Sequence, residues 1–303
     1  HLNGMFPPEI PPTELSNPRS SRLDALSPAE AAALLMGEEA EAVAALKDRA
    51  HSVAEVAVWA ADSLRRGGRL IYVGAGTSGR LGVLDAVECV PTFRTEPRQV
   101  VGIIAGGPAA LTRAVEGAED NEEEGRAQVR GLEVDARDTV VGIAASGRTP
   151  FVLAALREAK ARGARAALVT AGHPPPGEPL DALVLLPSGP EVLTGSTRLK
   201  AGTATKIVLN AISTTAMICL GKVYRNLMVD LRPTNNKLRA RAVRLVRELT
   251  GAEATAARAA LEAAQWSVKV AVIALRRGLE PEAAERLLAQ HGGFLGKALG
   301  EAP

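Results

Sequence analysis

The chain has 303 residues, 47% hydrophobic and 23% charged, which is the composition of a globular protein long enough to bury a large core. Only 3% of the residues are aromatic, so a site that holds single-stranded nucleic acid by stacking on several rings is not expected. The formal net charge of +2 is too small to indicate a polyanionic partner, and we expect no nucleic-acid partner.

Cysteine, histidine and hydropathy patterns predict a cytoplasmic protein. Only two cysteines are present, Cys89 and Cys219, each in an apolar stretch, which favours a reducing compartment over a disulfide scaffold. The four histidines are scattered without metal-ligand spacing, so we expect no metal site. The longest apolar segment, residues 207–220, contains Asn210 and is too short to span a bilayer, so we expect no membrane contact.

The N-terminal region begins rich in proline and then becomes helical. Six prolines between residues 7 and 28 predict an extended segment. Ser27-Pro-Ala-Glu30 has the pattern of a helix start, because Ser27 can cap the helix and Glu30 completes a capping box. We expect helix from there to Arg66, with a break near Gly37.

The middle of the chain alternates between short apolar runs and helical patterns. The apolar runs are residues 70–73, 100–105, 139–144, 166–170 and 182–186. Continuous apolar runs predict strands that are covered on both faces, and their alternation with helices predicts an α/β fold with a doubly wound parallel sheet. In such sheets, ligands bind beyond the carboxyl ends of the strands.

From Asn235 onward the sequence is rich in Ala, Glu, Arg and Leu at helical spacing, which predicts a small all-helical C-terminal domain. One face of its first helix carries Lys and Arg, a pattern shared by nucleic-acid sites and by ordinary solvated helices, and the small net charge favours the solvated face. We place the domains at residues 1–60 (arm and helices), 61–224 (sheet) and 225–303 (helical).

Two predicted strands are followed by similar turns rich in glycine and hydroxyl residues. Residues 74–80 read Gly-Ala-Gly-Thr-Ser-Gly-Arg, and residues 145–150 read Ala-Ser-Gly-Arg-Thr-Pro. Glycines let backbone N–H groups approach an anion, hydroxyls donate, and the following helix adds positive potential. Simple helix capping is the alternative, but two turns with the same Ser-Gly-Arg core favour anion binding.

A phosphate monoester, most naturally on a sugar, is the anion that the pattern favours. Gly74, Gly76 and Gly79 match the dinucleotide pattern GxGxxG, but the next strand ends at Ile104-Ala-Gly-Gly107 without the carboxylate that would hold a ribose. A P-loop is not expected either, because no Gly-Lys-Ser/Thr follows the turn.

Two acidic regions are candidates for acid–base chemistry. Glu88 lies near the predicted end of a helix at Pro91, where the helix dipole disfavours negative charge. Its apolar neighbours in the sequence are expected to desolvate the carboxyl and raise its pKa. A plain surface glutamate is the alternative. The acidic run at residues 116–124 is mostly solvated surface, and its spacing does not single out one catalytic member.

Six motifs resemble those of bacterial N-acetylmuramic acid 6-phosphate etherases. They are Leu70–Gly82, Ala114–Asp120, Val141–Pro150, Gly189–Gly202, Gly221–Asp230 and His291–Leu295, in the same order along the chain. The resemblance implies a sugar-isomerase-type (SIS) phosphosugar-binding domain, a small helical C-terminal domain and a homodimer. Two segments depart from the family pattern: Val87 and Val90 replace smaller residues or proline, and residues 171–176 replace a Cys-Asn-Pro-Gly-type turn.

The resemblance also implies a reaction and its residues. The family cleaves the D-lactyl ether of a small-molecule phosphosugar by elimination and hydration, with no cofactor. Glu88 aligns with the acid for the leaving lactate and Glu119 with the base at C2. The substrate-binding candidates are Gly76, Thr77, Ser78, Ser146, Gly147, Arg148, Thr149, Ser196 and Thr197. Arg80 and Arg148 are candidates either to supply charge or to tie a helix to its neighbour.

Two other functions fit the same fold. A phosphosugar aldose–ketose isomerase also needs a base near C2, but it would release no lactate. A non-catalytic phosphosugar sensor, like the glucokinase regulatory protein, shares the Gly189–Gly202 type of motif. Retention of the two glutamates favours the etherase over the sensor, and release of D-lactate would separate it from the isomerase.

Overall fold

The computed structural model describes residues 10–231 and 233–301. They form two compact units: the first extends to Asp85 and continues from Val101 to Ile212, and the second comprises Ala86–Val100 and the chain from Ser213 onward. The three domains expected from the sequence stay a prediction. In the described part of the chain, every helix is too short or too polar to cross a membrane.

The elements follow the predicted alternation. The strands are β1 (Leu70–Gly74), β2 (Val100–Ile104), β3 (Thr139–Ile143), β4 (Arg165–Thr170) and β5 (Ala182–Leu185). The α-helices are α1 (Pro28–Ala45), α2 (Ala50–Arg65), α3 (Gly76–Phe93), α4 (Glu122–Gly131), α5 (Pro150–Ala161), α6 (Lys200–Cys219), α7 (Asn236–Thr250), α8 (Ala254–Ala263), α9 (Val268–Arg277), α10 (Pro281–Gln290) and α11 (Leu295–Ala298). Each strand lies within one residue of its predicted limits.

The strands form one sheet in the order β2-β1-β3-β4-β5. β1 pairs with β3, β3 with β4, and β4 with β5, all in parallel. The predicted doubly wound parallel sheet is therefore confirmed. In the register of the central pair, Gly74 at the end of β1 lies opposite Ile143 at the end of β3.

Both faces of the sheet are covered, which explains the continuous apolar runs. Ile71 and Val73 lie in one hydrophobic cluster with Phe151 of α5. Tyr72, between them, points to the other face because successive strand residues alternate, and its hydroxyl donates to Asp85 of α3 at 2.8 Å. Because both faces are covered, every residue of β1 and β3 is buried.

Two details of the N-terminal region differ from the sequence prediction. Pro7 and Pro8 lie outside the described residues, and the rest of the predicted extended segment forms short 3₁₀ turns at Pro12–Glu14, Pro18–Ser20 and Leu23–Ala25. The capping box at Ser27 and Glu30 is confirmed. The predicted break near Gly37 is wrong, because α1 passes through this residue and the helix is interrupted instead by a 3₁₀ turn at Leu46–Arg49.

A buried ion pair joins the start of α6 to α1. Lys200 Nζ lies 2.8 Å from Glu38 Oε2, and both side chains are buried. Asn17 Nδ2 donates to the same oxygen at 2.9 Å, and Arg19 Nε lies 2.6 Å from Glu38 Oε1. Burial raises the pKa of Glu38, but these partners outweigh it and hold the pKa below its ordinary value.

The second unit contains the predicted C-terminal helices, α7 to α11, packed around their own apolar core. Asn235 caps α7 and Ser267 caps α9. Lys269 is buried beneath them, where Nζ donates to Gly293 O at 3.1 Å and to Asp230 Oδ2 at 3.2 Å. Burial lowers the pKa of Lys269, and the Asp230 charge offsets part of this effect.

The buried ion pair between Lys200 and Glu38 is expected to stabilise the fold. Lys200→Met leaves the buried Glu38 carboxylate without the one of its two cations that is itself buried, so we expect the free energy of unfolding to fall by about 3 kcal/mol. Lys206→Met, at an exposed position of the same helix, is the control and should change stability by less than about 0.5 kcal/mol. Urea unfolding followed by circular dichroism at pH 7 measures both, and equal effects of the two variants would contradict the account.

Candidate active site

The first glycine turn connects β1 directly to α3. A Cβ added to Gly79 would lie 2.7 Å from Gly74 O and 2.6 Å from Ile104 Cγ1, so glycine is needed here for the helix to pack on the strand. Thr77 and Ser78 lie in the first turn of α3 and are partly exposed. Within residues 10–231 and 233–301, their hydroxyls have no hydrogen-bond partner and are open to a ligand.

The second turn follows β3 and leads into α5. Gly147 has a φ of +76°, and a Cβ there would lie 3.0 Å from Thr170 Oγ1, so glycine is required by both backbone and space. Ser146 Oγ accepts a hydrogen bond from the Arg148 N–H at 3.1 Å. Thr149 occupies the N-cap position of α5 but makes no side-chain capping bond. The alternative interpretation, that this threonine is present only to cap the helix, therefore does not hold for Thr149.

The Arg148 and Arg80 guanidinium groups have different surroundings. Arg80 Nε donates to Leu111 O at 3.3 Å and Nη2 donates to Arg113 O at 3.2 Å, so this residue ties α3 to the loop after β2. Arg148 has no hydrogen-bonding or ionic side-chain partner in the part of the chain that the structure describes. Of the two, Arg148 is the one whose charge is available to a ligand.

Ser196 and Thr197 form a third polar turn, before α6. The first N–H groups of that helix are already occupied, because Glu191 accepts from Lys200 N at 3.0 Å and from Ala201 N at 2.9 Å. Burial raises the pKa of Glu191, although these two donors act in the opposite direction. The role of Glu191 could not be predicted from the sequence, where its only signal is its place in the Gly189–Gly202 motif.

The sheet brings these turns together. Because β1 and β3 are parallel neighbours, the first and second turns both lie at the carboxyl edge of the sheet. The third turn meets the first around Gly202, where a Cβ would lie 3.4 Å from Thr197 O and 3.7 Å from Thr77 Cγ2. All three turns belong to the first unit.

The environment of Glu88 differs from the sequence prediction. α3 does not end at Pro91 but continues to Phe93. Glu88 is exposed, as is Val87, whereas Cys89 is buried. Successive helix residues point about 100° apart, so apolar neighbours in the sequence do not desolvate this carboxylate. The expected desolvation of Glu88 is therefore wrong.

Glu119 lies in a 3₁₀ turn, Ala118–Asp120, that follows Gly117 at a φ of +70°. Its side chain is exposed. Glu119 belongs to the first unit and Glu88 to the second, so their assignment to one reaction stays a prediction. Among the described residues, no group of three or more His, Cys, Asp or Glu side chains has an arrangement that holds a metal.

Two family models match the chain. The model described as the glucokinase regulatory protein N-terminal SIS domain matches residues 51–160, and the model described as the C-terminal lid domain of glucokinase regulatory protein matches residues 225–277. The predicted SIS domain with a helical C-terminal domain is thus confirmed. Among solved structures, a phosphoheptose isomerase from Neisseria gonorrhoeae is similar over 62% of this chain and 95% of its own, at 21% identity and a TM-score of 0.42.

Curated relatives match almost the whole chain. A protein of Gloeobacter violaceus is 51% identical over 290 residues, covering 95% of this chain and 94% of its own. Proteins of Pectobacterium atrosepticum and Streptomyces avermitilis are 49% and 48% identical, covering 95% and 96% of this chain and 95% and 94% of their own. All three are named N-acetylmuramic acid 6-phosphate etherase. The chain belongs to the N-acetylmuramic acid 6-phosphate etherase family.

Proposed function

We propose that this protein is a carbon–oxygen lyase that cleaves the D-lactyl ether of N-acetylmuramic acid 6-phosphate. The products are N-acetylglucosamine 6-phosphate and D-lactate. The near full-length identity of about one half to relatives named for this substrate carries the proposal. The three polar turns at one edge of the sheet support it, because they offer hydroxyls, backbone N–H groups and a guanidinium to a small hydrated ligand.

The turn after β3 is best suited to the phosphate. It combines the N-terminus of α5 with the hydroxyl of Thr149, which makes no capping bond, and with the guanidinium of Arg148, which has no side-chain partner among the described residues. A helix N-terminus and an arginine both favour a doubly charged phosphate. Thr77 and Ser78 of the neighbouring turn add further hydroxyl donors.

The reaction is an elimination followed by an addition. In the open-chain sugar, the C1 aldehyde acidifies the C2 proton, which the carboxylate of Glu119 removes. The C3–O bond breaks, and Glu88 transfers its proton to the departing oxygen of lactate. Water then adds to C3 of the unsaturated aldehyde, and C2 regains a proton. The sum is one substrate and one water giving one phosphosugar and one lactate.

The two glutamates are sufficient for the proton transfers of both steps. Each carboxyl changes its protonation state between the elimination and the addition. In the addition, Glu88 takes a proton from the attacking water and Glu119 returns one to C2, so both carboxyls regain their starting protonation states. The reaction then needs no further proton carrier among the side chains.

The quaternary structure is a separate part of the proposal. Leu84 and Val87 of α3 are 50% and 60% exposed, and their spacing of three residues puts them on the same face of the helix. We propose that the protein is a cytoplasmic homodimer, with this apolar strip as one candidate contact.

The direct test is product analysis. Incubation with N-acetylmuramic acid 6-phosphate should release D-lactate and N-acetylglucosamine 6-phosphate in equal amounts, detected by a lactate dehydrogenase assay and by mass spectrometry. An isomerase would give a ketose without lactate. Well-folded protein that releases no lactate above a buffer control would refute the proposal.

The role of Glu88 predicts a separation of binding from turnover. Glu88→Gln keeps the size of the side chain but has no proton to give, so kcat should fall about 10²- to 10⁴-fold. Substrate affinity should change little. Glu96→Gln, an exposed glutamate beyond the end of the same helix, is the control. Near-normal turnover of Glu88→Gln would remove this residue from the mechanism.

The roles of the two glutamates are distinguished by isotope exchange at C2. In deuterated water, Glu88→Gln should still exchange the C2 proton of N-acetylglucosamine 6-phosphate, because the base is intact. Glu119→Gln should lose this exchange, whereas Glu116→Gln, on the same exposed loop, should retain it. Proton NMR of the sugar measures the exchange, and the reverse pattern would interchange the two roles.

A further inference from the structure

The N-terminal arm, residues 12–20, is fastened to the segment that contains the third polar turn. Gly195 N donates to Thr13 O at 3.1 Å. Asn17 Nδ2 donates to Pro190 O at 3.4 Å, nearer the start of the same segment. The arm therefore contacts the Gly189–Gly202 motif at two points, on either side of Glu14.

Both anchors of the arm are buried. Thr13 has no exposed surface and Asn17 is 3% exposed. Asn17 also donates to Glu38, the buried carboxylate that pairs with Lys200 at the start of α6. These contacts fix the backbone on both sides of Glu14, so its side chain starts from a position that is set by the fold.

Glu14 places a carboxylate beside the third turn. A Cβ added to Gly195 would lie 3.2 Å from Glu14 Oε2. The Glu14 side chain is exposed, and within the described ranges it has no hydrogen-bonding or ionic partner. The hydroxyls of Ser196 and Thr197, the next residues of the turn, are likewise without partners there. The third turn therefore offers a carboxylate beside Gly195 and hydroxyls on the two residues that follow it.

The third turn has a more negative environment than the second turn. The first N–H groups of α6 already bind the Glu191 carboxylate, and the Glu14 carboxylate beside Gly195 adds a second negative charge to the segment that leads into this helix. A phosphate would be repelled by both. A neutral hydroxyl or amide N–H would instead gain a charge-assisted hydrogen bond from the open carboxylate.

We propose that Glu14 is a specificity-determining residue, which accepts hydrogen bonds from uncharged donors of the phosphosugar while the phosphate binds at the turn after β3. The donors are the sugar hydroxyls or the acetamide N–H. This inference rests on the proposed function. It also limits Ser196 and Thr197 to the neutral part of the substrate.

The test compares a phosphosugar with phosphate alone. Isothermal titration calorimetry measures the Kd of N-acetylglucosamine 6-phosphate and of inorganic phosphate for the wild type, Glu14→Ala and Glu14→Gln. Glu14→Ala should weaken phosphosugar binding at least tenfold, and Glu14→Gln, which keeps a neutral acceptor, should weaken it less. Phosphate affinity should stay within about twofold in both variants.

Asp24→Asn is the matched control, since it removes an exposed acid from the same N-terminal region and should change neither Kd. Unchanged phosphosugar affinity in Glu14→Ala would overturn the inference. So would a Glu14→Gln variant that binds inorganic phosphate at least tenfold more tightly, because the carboxylate would then face the phosphate. A wild type that binds neither ligand would refute the proposed function as well.

Discussion

The parallel pairing of β1 with β3 is the constraint on which the candidate site depends. Parallel neighbours end at the same edge of a sheet, so the residues that follow Gly74 and Ile143 emerge side by side. Both strands are buried along their whole length, which fixes their register through the core. Two turns that are far apart in the chain therefore present their hydroxyls and N–H groups to one place.

The glycines of these turns allow close backbone packing, so the hydroxyl side chains of the turns are not needed to hold the local structure. Gly79 lets α3 approach the end of β1, and Gly147 lets the second turn approach Thr170 of β4. With the backbone held by these contacts, Thr77, Ser78 and Thr149 do not need their hydroxyls for the local fold. A pattern that resembles a dinucleotide motif thus has a packing cause here, and within the described ranges the hydroxyls around it are left without partners.

The sequence predicted the elements well and the surroundings of individual side chains less well. Strand limits were predictable because strands covered on both faces are apolar without interruption. Glu88 was misjudged because its neighbours along the chain are not its neighbours in space on a helix. Glu14 could not be found at all, since its place beside Gly195 results from backbone contacts between the arm and a distant loop. Local patterns carry no information about such long-range contacts.

The central claim is that the turns at the carboxyl edge of the sheet hold a sugar phosphate. A crystal structure with N-acetylglucosamine 6-phosphate bound tests it most directly. The account predicts the phosphate within hydrogen-bonding distance of the Arg148 guanidinium and the Thr149 hydroxyl, with the sugar extending toward Ser196. A phosphate bound at the Ser196–Thr197 turn, or away from the edge of the sheet altogether, would contradict it.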